Sequence, residues 1–293
     1  FLLAVGGGSV IDGTKLISAG LLYDGDAWDL VKKGNTENTL PLGTVLTLPA
    51  TGSEMNDGAV ISCKETKEKY AFFSNFPKFS ILDPEVTFSL PDYQIACGIA
   101  DTFVHVMEQY LTKSGESRVM DRWAESILQT LVEIAPKIKE NKQDYQNMAD
   151  FMMCATMALN GFIAMGVSQD WATHMIGHEV TALTGLTHGH TLAIILPGTM
   201  DVLRKQKGEK IMQVGTRVFG VNTGTHDFRI NETIRKTREF FNSLGLTTSL
   251  SENNIGKDVI DEIERRFNER DVHFGEYGLV TGSVAKEILE KVY

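Results

Sequence analysis

The sequence predicts an α/β half over residues 1–90 followed by an all-helical half over residues 91–293. Three observations predict it. Short apolar or β-branched runs alternate with glycine turns up to Leu90. Beyond Leu90-Pro91-Asp92 the chain turns rich in Ala, Met and Leu at helical spacing, with no convincing strand. A chain of 293 residues also exceeds what one core usually serves.

Each element has its own warrant. Phe1–Val5 is an apolar strand, Gly6–Ser9 a turn, and Val10–Leu21 a helix with Ile11, Leu16 and Ile17 at helical spacing. Thr44–Leu48 and Ala59–Cys63 are β-branched runs bounded by Gly and Pro, and Phe79–Leu82 is a strand stopped by Asp83-Pro84. Strands alternating with helix imply a parallel or mixed sheet with helices on its faces. Pro91 and Asp92 suit a helix start, the proline near the first turn and the acid near the positive end. Helices are expected over Val119–Ile138, Tyr145–Ala164, Phe228–Leu244, Asp258–Arg270 and Val284–Tyr293. The chain enters its first strand at Phe1 without an initiator Met. The expectation is that opening strands of the sheet are missing and that one sheet edge is bare.

Composition narrows the function classes. The 42% hydrophobic and 23% charged content is that of a folded soluble protein. A net charge of −10 without a basic run argues against nucleic acid or an anionic membrane as partner, and no apolar run is long enough to span a bilayer. Cys63, Cys97 and Cys154 are widely spaced with no CxxC pair. They predict neither a disulfide framework nor a thiolate zinc site, and fit buried thiols in a reducing compartment, the cytoplasm.

Chemistry concentrates in the histidines. Four of the seven fall in His174-Met175-Ile176-Gly177-His178 and His188-Gly189-His190, and Asp101-Thr102-Phe103-Val104-His105 adds an acid and an imidazole four residues apart. On a helix, residues i and i+4 share a face, so each pair can serve one ion. Asp101, His105, His174 and His188 form a plausible shell; one carboxylate with three imidazoles suits Fe(II) or Zn(II) rather than Mg or Ca. Geometry leaves His178 and His190 unassigned, while His226 and His273 read as solvated. The Gly6–Ser9 turn is either a tight strand-to-helix turn or a phosphate cradle at a helix N-terminus. Ile11 stands where the usual dinucleotide fingerprint has its third glycine. A second turn, Thr47-Leu48-Pro49-Ala50-Thr51-Gly52-Ser53-Glu54, either closes on the same ligand or starts a helix with Ser53 near its cap.

Together these segments stop being generic. Gly-Gly-Gly-Ser-Val-Ile-Asp at 6–12, the second turn at 47–54, Ile-Leu-Asp-Pro-Glu at 81–85, Asp101–His105 and the spaced histidines resemble the iron-containing alcohol dehydrogenases, in that family's order. Gln169-Asp170-Trp171-Ala172-Thr173 resembles its NADP(H)-dependent butanol dehydrogenase and broad-range aldehyde reductase branch. The resemblance implies a dehydroquinate synthase-like fold, a nucleotide domain over 1–90 and a helical metal and substrate domain over 91–293. It implies Asp101, His105, His174 and His188 as ligands of Fe(II) or Zn(II), and His178 beside the nicotinamide as a proton relay. Gly7, Gly8 and Ser9 would cradle the pyrophosphate, with Asp12 toward the nicotinamide. Thr47, Leu48 and Ser53 match the second cofactor turn, Lys69 a cofactor-contacting lysine, and Leu82 a strand lining the site. NADP(H) is expected ahead of NAD(H), a homodimer is expected, and an apolar wall near Val167 and Trp171 would take an aliphatic tail. The expected reaction is hydride transfer between a primary alcohol or aldehyde and the dinucleotide. A metal-dependent phosphohydrolase and a lyase of the same fold are the alternatives.

Overall fold

The computed structural model describes all residues, 1–293. All five strands lie before Asp83. β1 (Leu2–Gly6), β2 (Leu42–Leu46) and β5 (Ser80–Leu82) form a parallel sheet with β2 in the middle, in register Leu2 to Leu42 and Thr44 to Ser80. β3 (Gly58–Cys63) and β4 (Glu68–Phe73) form a separate antiparallel hairpin. Helix α1 (Gly8–Gly20) lays Ile11 against Ala4 and Leu46, with Met152 closing the small core. The other sheet face differs from the expectation of helices on both sides: Leu3, Val5 and Ile81 are at least half exposed there.

Two pieces of this half were not anticipated. The short helix α2 (Ala27–Lys33) starts with Asp26 accepting from Trp28 N–H and stops at Gly34 in the left-handed region. Its seven residues are too few to show a period. Strand β4 is hidden by its charged flank Lys64-Glu65-Thr66-Lys67-Glu68-Lys69, yet it pairs residue for residue with β3 and buries Phe72.

From Asp92 onward the chain is helical: α3 (Asp92–Tyr110), α4 (Arg118–Glu140), α5 (Tyr145–Ala158), α6 (Ala172–Thr184), α7 (His188–Val202), α8 (Arg204–Phe219), α9 (His226–Ser243), α10 (Lys257–Glu269) and α11 (Gly282–Lys291). Helix α5 ends six residues short of the expected Ala164, because Gly161 and Gly166 adopt positive φ in the loop that follows. Helix α7 escaped the sequence pattern for a different reason. Every residue from Gly189 to Met200 is buried, so it has no polar face to set a period. Helix α8 opens with Arg204-Lys205-Gln206-Lys207, which masks its apolar stripe at Ile211 and Val214. Helices α3 and α7 are central, the first inside a 34-residue core with α4, α5 and α9 and the second joining it to a 16-residue core under α6, α10 and α11. No helix is long and apolar enough to cross a membrane. The three cysteines are free thiols.

Candidate metal and dinucleotide site

Three helices meet at the histidines because glycine lets them. A Cβ on Gly189 would lie 2.1 Å from the Cys97 carbonyl, so only glycine lets the first turn of α7 approach α3 this closely. Asp101 and His105 lie one turn apart on α3, His174 and His178 one turn apart on α6, and His188 opens α7. Asp101, His174 and His188 each offer a ligand atom within 4.8 Å of the other two. Asp101 Oδ1 lies 3.7 Å from His174 Nε2 and 3.9 Å from His188 Nε2. His105 Nε2 also reaches Asp101 Oδ1 at 3.7 Å, and its ring stacks on His174 at 4.6 Å, but it stands outside the mutual spacing of the trio.

Buried Asp101 Oδ1 and His174 Nε2 have no hydrogen-bond partner. Such groups cost free energy unless something outside the chain satisfies them, and a carboxylate with imidazole nitrogens fits a divalent transition metal. The electrostatics agree. Burial opposes the Asp101 charge, but His105 and His174 outweigh it and hold the carboxyl below its ordinary range. Burial pushes His105 down to about 4, and burial with the positive Lys69 nearby holds His178 and His188 well below 6.5. Neutral imidazole is the ligand form. His174 alone is raised, to about 9, because Glu108 and Asp101 outweigh its burial. His178 stands beside the trio, its ring 5.0 Å from that of His188 and edge-on to His174 at 6.2 Å. His190 does not face the pocket; it bridges Tyr93 Oη and Thr247, while His226 and His273 are exposed.

Lys69, on β4, is the lysine whose charge acts on Asp101, His178 and His188, and it is lowered to about 8 by burial against the pull of Asp101 and Asp12. The hairpin that carries it is fastened to the helical half. Arg266 on α10 donates to the Lys67 carbonyl at 2.9 Å, and Arg270 lies over the Tyr70 ring at 5.8 Å. Both guanidiniums are held by buried Glu179, the neighbour of His178 on α6. Trp171, at φ +64°, sets its ring edge-on to His174 at 5.3 Å and to His105 at 6.2 Å. Val167 lines a small cavity with Ile163, Met120 and Lys210.

The glycine turn holds a different arrangement. Gly7 caps α1 without a side chain, leaving the helix N-terminus open beside exposed Ser9. The close approach at the glycines is to the protein's own second turn: a Cβ on Gly8 would meet Thr51 Oγ1 at 2.4 Å, and one on Gly7 would meet Leu48 Cβ at 3.0 Å. Thr47 N–H bonds to the Gly6 carbonyl, tying the two turns again. Leu82 packs into the small core of Ala4, Ile11 and Leu46. Ser53 starts a short 3₁₀ turn after Gly52 rather than capping an α-helix.

Asp12 and Ser53 are buried and spend their polar atoms inside the chain. Asp12 Oδ1 accepts from Ser53 Oγ at 2.6 Å and Oδ2 from Val60 N–H at 2.8 Å. The group that completes the cluster was missed in the sequence. Lys15, fully buried, donates to Ser53 Oγ, Asn56 Oδ1 and the carbonyls of Asn56 and Gly58, at 2.6–3.1 Å. Burial lowers its ammonium to about 8 although Asp12 pulls the other way. A signal existed: Ile11, Lys15, Ser18 and Ala19 fall on one helical stripe, which makes Lys15 a charge on a buried face.

Comparison with known proteins agrees with this architecture. Residues 1–84 match the iron-containing alcohol dehydrogenase model and residues 95–293 the C-terminal model of the Fe-containing alcohol dehydrogenase family. The chain is 46% identical to the NADPH-dependent aldehyde reductase YqhD of Escherichia coli over 99% of its length and 77% of the relative's. That protein's crystal structure superposes with a TM-score of 0.98 over the whole of this chain and 77% of the other. A probable NADH-dependent butanol dehydrogenase 1 of Bacillus subtilis is also 46% identical, over 90% of this chain and 69% of its own. The structure of NADH-dependent butanol dehydrogenase A from Thermotoga maritima, 33% identical, gives a TM-score of 0.93 over 99% of this chain and 75% of that one. Neither the phosphohydrolase nor the lyase alternative is favoured. The chain is an oxidoreductase and belongs to the iron-containing alcohol dehydrogenase family.

Proposed function

We propose that this protein reduces primary aldehydes, and oxidises the corresponding alcohols, with a nicotinamide dinucleotide. The observation that carries the reading is the buried, unpartnered Asp101 Oδ1 facing the Nε2 atoms of His174 and His188. Asp101, His174 and His188 would hold the metal, iron or zinc, with His105 completing the set from beside Asp101. When bound, the metal supplies Lewis acidity toward a substrate oxygen and the dinucleotide supplies or takes the hydride. The remaining work falls to the chain. The open N-terminus of α1 offers the Gly8 and Ser9 N–H groups and a positive end to a pyrophosphate, beside Gly7, with Thr47 and Leu48 on the facing turn. Asp12 and Ser53 would act by holding those turns together, and Leu82 by supporting them from the core. Lys69 contributes positive charge between the two halves. His178 stays neutral near pH 7 and so relays the proton of the substrate oxygen. Trp171 walls the pocket on the side where an aliphatic tail would lie.

NADPH is proposed ahead of NADH by likeness to the reductase branch. On this reading the half at 1–90 binds the dinucleotide, the half at 91–293 holds the metal and substrate, and a cytoplasmic homodimer is the working form. The test is NADPH oxidation at 340 nm with butanal, using metal-loaded protein and its His188→Ala variant. Aldehyde-dependent oxidation in the parent is expected, lost in the variant while dinucleotide affinity stays within a few-fold. No oxidation in protein that carries its metal overturns the proposal.

A further inference from the structure

Helix α6 carries a metal-facing imidazole yet has no cap from its N-cap side chain, since Trp171 there is left-handed and its indole can accept no N–H of the first turn. The cap comes from another helix. Glu108, buried on α3, accepts the Thr173 N–H at 2.5 Å and the His174 N–H at 3.3 Å on one carboxylate oxygen. Its other oxygen is bonded to Nδ1 of the His174 ring. One carboxylate therefore fixes both the backbone and the imidazole of the same residue. Glu108 is on the Asp101 side of α3, seven residues on, so the helix that offers the carboxylate to the centre also aims the histidine at it.

The consequence is chemical. A carboxylate only accepts, so the neutral His174 ring, the form that ligates, keeps its proton on Nδ1 and turns the lone pair of Nε2 toward Asp101 Oδ1 at 3.7 Å, where neither atom has a protein partner. His105 and His188 have no comparable support: the Nδ1 atom of each is buried without a partner. We propose that Glu108 is a positioning residue for the metal centre, setting the tautomer and direction of His174 so that Nε2 is ready to ligate a divalent cation. The inference rests on the metal-centre reading above.

The test has two arms. Zinc affinity is measured by chelator competition on the protein and on Glu108→Gln, whose amide keeps the cap acceptor but presents N–H toward Nδ1 and selects the opposite tautomer. The dissociation constant is expected to rise by about 10- to 100-fold. Equal affinity in the two proteins overturns the inference. A parent that takes up no stoichiometric zinc overturns the metal-centre reading instead. The second arm does not depend on the Glu108 variant. Ring-¹⁵N histidine spectra of the chelator-treated parent, recorded in alkaline solution where the raised His174 ring carries a single proton, should show that proton on Nδ1, assigned by its loss in His174→Gln. A proton on Nε2 there refutes the role of Glu108 whatever the affinity of the variant.

Discussion

The glycine-turn cluster and the histidine pocket are both buried and both rich in polar groups, yet they treat those groups in opposite ways. Around Lys15 the ammonium, the Asp12 carboxylate and the Ser53 hydroxyl are all hydrogen-bonded within the chain. Around Asp101 the reverse holds: Asp101 Oδ1 and His174 Nε2, which face one another, are buried and unpartnered. The first pattern belongs to a scaffold, because satisfied polar networks fix geometry and ask nothing of solvent or ligand. The second belongs to a site awaiting an outside partner, because burying unpaired polar atoms is costly. Residue type alone would have ranked the two regions alike.

That contrast breaks most readily at Asp101. Asp101→Ala is expected to lose its bound metal, seen by elemental mass spectrometry, and with it more than about 10³-fold in kcat/KM. Retention of stoichiometric metal would place the centre elsewhere. Lys15→Met should do the opposite, keeping the metal per folded chain while losing about 3–5 kcal/mol of stability in urea, since it strands buried Asp12. A Lys15→Met protein as stable as the parent would mean the cluster is not scaffold.

Acid should also separate the regions. His105 titrates near 4 in the folded chain and near 6.5 when unfolded, so between those values only the unfolded state holds the proton. Stability of the metal-free protein therefore falls as pH drops from about 6.5 to about 4, by roughly 3 kcal/mol for this group. His178 and His188, depressed likewise, deepen the fall. His174 has the opposite sign: its raised value gives stability present below 6.5 and lost as pH climbs through about 9. A urea midpoint highest between these limits is the expected profile, and His178→Gln should shallow its acid limb. An acid limb as steep in that variant as in the parent would remove His178 from the account.

What was legible in the sequence follows the range of the interactions. The pairs Asp101/His105 and His174/His178 could be read because helical period is local, and the turn between β1 and α1 because glycine marks it. That His188 joins Asp101 and His174 was reachable only through the resemblance and the clustering. Glu108 was invisible: it meets His174 across 66 residues, through a helix crossing that no spacing encodes. Lys15 was overlooked for the converse reason, a charged residue assumed to face water although its neighbours on the stripe are apolar or small. Helix α7 lacked a polar face altogether, so the period that reveals a surface helix was absent from the one that carries His188.

The β3–β4 hairpin has one more consequence, a mechanical one. Its root is clamped to α1, where Lys15 grips the Gly58 carbonyl and Asp12 the Val60 N–H. Its tip is clamped to α10 through Arg266 on the Lys67 carbonyl. A ribbon of six paired residues per strand thus spans the two halves as a strut with both ends built in. Any change in the angle between the halves must flex that strut or unseat one of its clamps, and Lys69, set between the clamps, rides on whichever yields.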